Sequence, residues 1–155
     1  MPFPLSQIGI CRSALHSGNE LEGVISTRYI GVDPGSKFTG IAILEEDGTF
    51  SFHGEYDNPV AAWEVIARET DGHQWDYVVI LEDMLGSGQR DAHIIRTIKL
   101  VGYIYYHCIE AGITVELVPN QARLANIGNV PFDITGKDEI AAAAHALSAK
   151  ERRKA

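Results

Sequence analysis

The sequence predicts an α/β fold in which a mixed five-stranded sheet is flanked by helices. Three strand patterns follow one another between Arg28 and Tyr56, separated only by tight turns, which is typical of antiparallel neighbours. From Asn58 onward helical and strand patterns alternate, which is typical of parallel strands joined by crossover helices. We therefore expect three antiparallel strands followed by alternating helices and parallel strands.

Length and composition indicate one domain of ordinary size. The chain has 155 residues, of which 45% are hydrophobic and 22% charged, as in globular proteins. Residues 1–27 show no clean periodicity, so we expect a poorly ordered amino-terminal arm in front of a domain over residues 28–155. One hypothesis is that this arm is an upstream extension from a misassigned start.

Targeting signals and cysteines favour a cytoplasmic protein. The first residues lack the basic flank and long apolar core of a secretory signal, and no apolar run reaches the length of a membrane span. Cys11 and Cys108 form no CxxC pair, which argues against a disulfide framework and a structural zinc site. We expect Cys108 to be a small buried residue on a helix.

The net charge is −8 and the isoelectric point is near 5.1, which argues against a general nucleic-acid binder. Basic residues nevertheless cluster at Arg90, Arg96 and Lys99, and residues 150–154 form a basic tail. Metal ions in a cleft would also neutralise acids there.

The first three strands follow from two turns. Apolar runs flank an Asp-Pro-Gly turn in the stretch Tyr29–Leu44, which predicts a strand ending at Asp33, a reversal and a second strand. A second turn leads into residues 49–56, whose alternation predicts a third strand with Phe50 and Phe52 on one face.

The next helix and strand have clear boundary signals. Asn58 as a cap and Pro59 at the first helical position begin a helix, and Gly72 ends it. Residues 77–81 are continuously apolar, the pattern of a central strand covered on both faces, and Glu82 follows directly.

A long helix is predicted over residues 91–111, before Gly112. Its main apolar stripe consists of Ile94, Ile95, Ile98, Val101, Gly102, Tyr105, Cys108 and Ile109. A second stripe consists of Leu100, Tyr103, Ile104 and His107. A helix that is apolar on two sides is buried on two sides, so this second stripe either packs under strands of the same chain or meets another subunit.

The remaining elements alternate as expected. Residues 113–118 form a strand ended by Pro119, residues 121–126 a short helical turn, and residues 127–132 a linker. A closing helix over residues 138–154 has an alanine-rich face suited to close packing on a sheet.

Two acids end predicted strands. A buried strand rarely ends in a carboxylate without a compensating cation, so Glu82 needs a partner, either a metal ion or an arginine such as Arg90 or Arg123. If the first and fourth strands are parallel neighbours, Asp33 and Glu82 lie at the same end, where a divalent cation would relieve their repulsion. Asp33 on its own is also ordinary turn chemistry. Asp83 points to the other face.

A third acid, Asp138, begins the closing helix. Thr135-Gly-Lys-Asp138 fits a capping box, so Asp138 is either a cap or a ligand, and the two roles are compatible when the helix start faces the sheet rim. His145 lies on the same helical face but about 10 Å along the axis, which makes it an outer member of such a site or a core histidine.

These residues resemble the RNase H-like nuclease superfamily and, within it, the RuvC Holliday junction resolvases. The resemblance covers about residues 28–150 and keeps the order of elements. It rests on Ile30-Gly-Val-Asp33-Pro-Gly35-Ser-Lys-Phe-Thr-Gly40, then Trp75-Asp-Tyr-Val-Val-Ile-Leu-Glu82, then Lys137-Asp138-Glu-Ile-Ala-Ala-Ala-Ala-His145-Ala-Leu147.

The resemblance implies a structure-selective endodeoxyribonuclease for branched DNA. Asp33, Glu82 and Asp138 would hold two Mg²⁺ or Mn²⁺ ions, one activating a water and the other stabilising the leaving oxygen, with His145 as a further catalytic candidate. It also implies a homodimer that pairs through the 91–111 helix. The candidate DNA contacts are Lys37, Arg90, Arg96 and Lys99.

One departure from the family pattern leaves the ligand set open. The family usually has a second acid or a histidine three residues after the first on the last helix, where this chain has Ala141. The fourth ligand is therefore Glu139, His145 or a water. A catalytically weak or inactive module that binds branched DNA is the alternative function.

Two further alternatives share parts of the pattern. A YqgF-like RNA-processing nuclease usually has an arginine after the first acidic turn, where this chain has Lys37 or Phe38. Actin- and hexokinase-like ATPases share Asp-x-Gly followed by Thr-Gly, but they enclose the nucleotide with a duplicated domain, and the sequence shows no second copy.

Overall fold

A mixed sheet of five strands organises the structure, a computed structural model that describes residues 26–35, 37–71, 76–83 and 92–154. The strands are β1 (Thr27–Pro34), β2 (Thr39–Leu44), β3 (Phe50–Tyr56), β4 (Asp76–Asp83) and β5 (Thr114–Pro119). The helices are α1 (Pro59–Glu69), α2 (Ala92–Ala111), a 3₁₀ helix (Asn120–Asn129) and α3 (Lys137–Lys154).

The strand order is β3-β2-β1-β4-β5. β1 pairs antiparallel with β2, and β2 antiparallel with β3, whereas β1 pairs parallel with β4 and β4 parallel with β5. The predicted fold class, three antiparallel strands followed by alternating helices and parallel strands, is confirmed.

Helix boundaries follow the expected local chemistry. Asn58 caps α1 by accepting a hydrogen bond from the Ala61 backbone N–H at 2.7 Å, with Pro59 as the first helical residue. Gly112 follows α2 with a φ of 75°, a conformation that glycine adopts without strain. The 3₁₀ helix replaces the predicted short turn and extends into the predicted linker.

One side-chain prediction for β3 is wrong. The register between β2 and β3 shifts at Ile43/Leu44, so Phe52 pairs with Ile43 and Phe50 with Leu44. The bulge places the two phenylalanines on opposite faces of the sheet, because it adds one residue to the alternation. Phe52 packs against the core beneath α1 and α2, and Phe50 packs on the α3 side.

The two faces of the sheet are covered differently. Large apolar side chains fill the face beneath α1 and α2, among them Ile30, Val32, Ile41, Val79 and Leu81. The opposite face lies beneath α3, whose inward residues are mostly alanines. Asp33 and Glu82 belong to this second face, because each is one strand position beyond a residue of the first.

The second stripe of α2 is covered by the same chain. Leu100 and Ile104 are buried in the core, and the rings of Tyr103 and Trp63 pack against His107. Of the two alternatives for this stripe, packing within the same chain is therefore the one that the structure shows. The exposed apolar residues of α2 lie on a different face: Ile95, Tyr105, Tyr106 and Ile109.

Several predictions lie outside the described residues: the amino-terminal arm up to residue 25, the helix-ending Gly72, Trp75 of the second motif, and Arg90 with its loop. Across the described ranges, no helix combines the length and apolar character needed to cross a membrane. Cys108 is buried, as predicted, and burial raises the pKa of its thiol to about 12.

Candidate active site at the sheet rim

Asp33 and Glu82 lie side by side at the ends of β1 and β4. The parallel register pairs Val32 with Leu81, so the next residue of each strand is an acid on the α3 face. Both acids are buried, with 8% of Asp33 and 4% of Glu82 exposed. Their carboxyl groups are close enough for the negative charge of Glu82 to raise the pKa of Asp33. The predicted convergence of these two residues is therefore present.

Glycines bring α3 close enough to reach these acids. A methyl group at Gly31 would overlap the Ala142 carbonyl, and one at Gly40 would overlap the Asp138 carbonyl. A methyl group at Gly35 would lie 2.5 Å from Asp138 Oδ1. The helix backbone thus rests directly on β1 and β2 at positions where any side chain would hold it away.

Asp138 completes a group of three carboxyls. Its Oδ1 lies against Gly35, just after β1, and its charge adds to that of Glu82 in raising the pKa of Asp33. Burial, and then the charges of Glu55 and Glu82, raise the pKa of Asp138, while its hydrogen bond to Asp33 and the charge of Lys137 act in the opposite direction. The three acids that are remote in sequence meet at one point of the rim.

The start of α3 corrects the predicted capping box. The helix begins at Lys137, so Gly136 is the capping residue, and Glu139 Oε1 accepts from the backbone N–H groups of Thr135 and Gly136 at 3.3 Å each. Glu55 on β3 supplies the other half, because its Oε2 accepts from the Asp138 N–H at 2.8 Å and the Glu139 N–H at 3.3 Å. The Asp138 side chain is therefore not needed as a cap.

Asp33 has the most perturbed titration of the three. Burial, the negative charge of Glu82 and the contact with Asp138 raise its pKa to about 9. At neutral pH Asp33 therefore keeps its proton and donates it to a neighbouring carboxylate. This proton marks a place where negative charge exceeds the available positive charge.

Glu82 is held by two basic groups. Arg123 Nη1 donates to Glu82 Oε1 at 3.1 Å, and His145 Nε2 lies 2.9 Å from the same oxygen. Burial acts to raise the pKa of Glu82, but the hydrogen bond and charge of His145 and the charge of Arg123 outweigh it, so the pKa lies below its usual value. The predicted ion pair with Arg123 is present together with the carboxyl contact.

His145 is fully buried and reaches Glu82 rather than standing beside Asp138. Its Nδ1 is the buried side-chain nitrogen without a hydrogen-bond partner among the described residues. Glu139, the other candidate fourth ligand, is engaged at the helix start and with His53, whose Nδ1 lies 3.2 Å from Glu139 Oε1. Of the two, His145 alone contacts a member of the acid group.

The donor set matches what a divalent cation such as Mg²⁺ prefers, namely carboxylate oxygens, and such a cation would offset the negative charge that raises the pKa of Asp33. Within the described ranges, however, no group of three or more acids, histidines and cysteines already has the geometry of a metal site. Glu82 Oε1 is already bound to Arg123 and His145. An ion would require Asp33 to lose its proton and the carboxyls to turn toward it.

Three of the predicted basic contacts come together near the acids. Lys37, Arg96 and Lys99 line a groove of about 280 Å³, together with Gly35 and Thr39 at the start of β2. The other lining residues, which include one acid, are Asp57, Asn58, Pro59, Leu100 and Tyr103. The groove therefore joins positive charge to the rim that carries Asp33.

Sequence reasoning missed Glu55 and the role of Glu139. Glu55 has no apolar context that distinguishes it from a surface residue, and the sequence suggests Glu139 only as a fourth ligand, not as a residue that binds the start of α3. The register does identify Glu55, because Asp33 pairs with Gly40 and Gly40 with Glu55. This row across three strands is visible only once the pairing is known.

Solved structures of known proteins share this fold. The structure superposes on Thermus thermophilus RuvC in complex with a Holliday junction substrate with a TM-score of 0.64 and 12% sequence identity, covering 83% of this chain and 96% of that chain. A second Thermus thermophilus RuvC structure gives a TM-score of 0.58 at 15% identity, covering 82% and 96%.

The chain thus has the fold of the RuvC resolvases at low sequence identity. No family model matches the sequence. No curated protein matches it either.

Proposed function

We propose that the chain is a metal-dependent, structure-selective endodeoxyribonuclease that resolves four-way or other branched DNA junctions by hydrolysing phosphodiester bonds. The observation that carries the proposal is the placement of Asp33, Glu82 and Asp138 at one rim of the sheet, where the charges of the other two acids raise the pKa of Asp33. The fold supports it, since a neighbour of the same fold is described in complex with a Holliday junction substrate.

Asp33, Glu82 and Asp138 would hold the ions, Mg²⁺ or Mn²⁺. Two such ions, when bound, supply the Lewis-acid chemistry for attack of water on a phosphodiester. His145 orients the Glu82 carboxylate through its Nε2, and Arg123 shares the same oxygen. Asp33 releases its proton when a cation takes over the compensation of the negative charge.

The groove beside the acids is the proposed contact for the DNA backbone. Lys37, Arg96 and Lys99 are exposed cations around one concave surface. Phosphates bound there would be adjacent to Gly35, which lies against the Asp138 side chain of α3. This local positive charge offsets the chain's net charge of −8, which would repel DNA elsewhere.

A homodimer through α2 remains part of the proposal, on the face that is exposed. Ile95, Tyr105, Tyr106 and Ile109 lie within one side of this helix, and 54% of Ile109 is exposed. We expect Ile109→Glu to give a monomer by light scattering where the parent gives a dimer. Equal masses would remove the dimer from the proposal.

A second candidate is a module that binds branched DNA without cutting it. Arg123 and His145 already bind the Glu82 carboxylate, and Ala141 stands where the resembling family has a further ligand. Such a module would bind junctions through the same groove and would not need an ion.

One assay separates the two candidates. Purified protein is incubated with a labelled four-way junction and Mg²⁺ or Mn²⁺, and the products are resolved on a denaturing gel. The proposed nuclease nicks the junction symmetrically, and Asp33→Asn abolishes nicking while junction binding persists. Binding by the parent without cleavage in either metal would select the inert module.

A further inference from the structure

We propose that Glu55 is a positioning residue that fixes Asp138 against Asp33 by capping α3 from the neighbouring strand β3. The inference builds on the proposed function, because it concerns the same carboxyl group. It rests on hydrogen bonds, register and close contacts that are independent of any bound ion.

The register places Glu55 in line with the acids. Asp33 pairs with Gly40 across β1 and β2, and Gly40 pairs with Glu55 across β2 and β3. Directly paired residues point to the same face of a sheet. The first turn of α3 lies over Gly40, where an added methyl group would overlap the Asp138 carbonyl. The helix start is therefore bracketed by Asp33 on one side and Glu55 on the other.

The contacts of Glu55 are those of a capping side chain. Its Oε2 accepts from the N–H groups of Asp138 and Glu139, the second and third residues of α3. A side chain at the capping position itself normally makes these bonds, and here that position is Gly136. A methyl group at Gly136 would lie 2.5 Å from Glu55 Oε2, so the glycine makes room for the carboxylate from β3.

Glu55 and Asp138 therefore have different roles at the start of α3. Because Glu55 satisfies the backbone of Asp138, the Asp138 side chain is left to contact Asp33. A carboxylate also suits the positive end of a helix dipole. A capping side chain from the helix itself would satisfy these N–H groups without connecting the helix to the sheet. A capping side chain from β3 also fixes the helix start to the sheet that carries Asp33.

The experiment compares Glu55→Ala with Glu55→Gln and with the double variant Glu55→Ala/Gly136→Asn. Glutamine keeps an oxygen acceptor at the same distance. Asparagine at position 136 restores a cap from within the helix, and Gly136 has no positive φ that would strain it. With the Glu55 side chain gone, the remaining tight neighbour of the added Cβ is Glu139 Cγ at 3.0 Å, so the Glu139 side chain must shift by a few tenths of an ångström.

The first readout is amide hydrogen exchange, which needs no metal and no DNA. In Glu55→Ala we expect exchange at the Asp138 and Glu139 amides to rise about tenfold, with sheet amides such as that of Val79 unchanged. Glu55→Gln should stay within about threefold of the parent. Unchanged exchange at 138 and 139, or an equal rise throughout the sheet, would overturn the proposal.

The second readout is the Mn²⁺ dissociation constant, measured by calorimetry where every variant is fully folded. We expect Glu55→Ala to weaken Mn²⁺ binding about tenfold, the effect typical of losing a residue that orients a metal ligand. Glu55→Gln should keep the affinity of the parent. The double variant should recover slow exchange but not full Mn²⁺ affinity, because its cap no longer ties α3 to β3.

The two proposals fail in different ways. Parent protein that binds no Mn²⁺ and cuts no junction would refute the nuclease, and the exchange data would still decide the cap. Parent protein that binds Mn²⁺ with an affinity insensitive to Glu55→Ala would refute the positioning role alone.

Discussion

The two faces of the sheet are built on opposite principles. Beneath α1 and α2, branched side chains such as Ile30 and Val32 fill the space between sheet and helices. Beneath α3, glycines and alanines let the helix backbone touch the strands, as at Gly31 and Ala142. The first face gains stability from buried apolar area, whereas the second brings the backbone of α3 close to the strands.

Close approach is what a cluster of carboxyls requires. Short side chains such as that of Asp33 reach a partner on α3 only if the helix lies directly on the sheet. Among the described residues, the fully buried titratable group of the apolar face is Cys108, which stays neutral over the ordinary pH range because burial raises its pKa to about 12. Function is therefore expected on the face that packs small residues, and substitutions on the two faces should have different consequences.

The largest difference is expected between two adjacent acids of β4. Glu82 faces α3, and Asp83 points to the other side of the strand. We expect Glu82→Gln to reduce the rate of junction nicking at least about a thousandfold. A bound ion stabilises the transition state by several kcal/mol, and each loss of about 1.4 kcal/mol slows the reaction about tenfold. Asp83→Asn is the matched control and should stay within about threefold of the parent.

That comparison is read with junction binding measured in parallel. Comparable loss of nicking in both variants would mean that the two faces are not distinct in function. Loss of binding in Glu82→Gln would mean that the residue holds the fold together rather than the chemistry.

A stability difference is expected between neighbouring residues of β1. Gly31→Val would drive its side chain into the Ala142 carbonyl, and we expect a loss of at least about 3 kcal/mol in the free energy of unfolding. Ile30→Val removes one methyl group from the apolar face and should cost about 1 kcal/mol. Urea unfolding followed by circular dichroism measures both. Equal losses would show that α3 adjusts its distance freely.

The pH dependence of stability should also separate the faces. Asp33 has a pKa of about 9 in the folded protein and an ordinary one near 3.8 when unfolded. Between pH 5 and pH 8 the folded state therefore binds more protons, and the free energy of unfolding falls as the pH rises. The raised pKa of Asp138 acts in the same direction. The lowered pKa of Glu82 acts only in acid, where its stabilising effect is lost as the pH falls.

The control is Asp33→Asn, which cannot titrate. Its melting temperature should depend less on pH over this range than that of the parent, and the difference between the two curves isolates Asp33. Saturating Mn²⁺ should stabilise the parent most at the high end of the range. Parallel curves without metal would mean that Asp33 ionises normally.

Much of the fold was predictable because its signals are local. The Asp-Pro-Gly turn, the apolar run before Glu82 and the alanine-rich face of α3 each depend on neighbours in sequence. The error at Phe50 and Phe52, and the choice left open for the second stripe of α2, concern places where residues distant in sequence set the environment. The bulge that separates Phe50 from Phe52 is set by pairing with β2, and the burial of Leu100 and Ile104 is set by packing beneath the sheet.

The candidate site was predictable in its acids but not in their surroundings. Asp33 and Glu82 follow from parallel pairing of the strands that they end. The contact of His145 with Glu82 depends on how α3 crosses the sheet, which no spacing along the helix reveals. The cap from Glu55 depends on the register of a strand that carries no motif.

The most direct test of the central claim, that these remote acids form one divalent-cation site, is a calorimetric titration with Mn²⁺ of the parent, Asp33→Asn and Asp83→Asn. The account predicts saturable binding by the parent and by Asp83→Asn, and at least tenfold weaker binding by Asp33→Asn, in line with the loss of a ligand. Equal binding by all three proteins, or none by the parent, would contradict it.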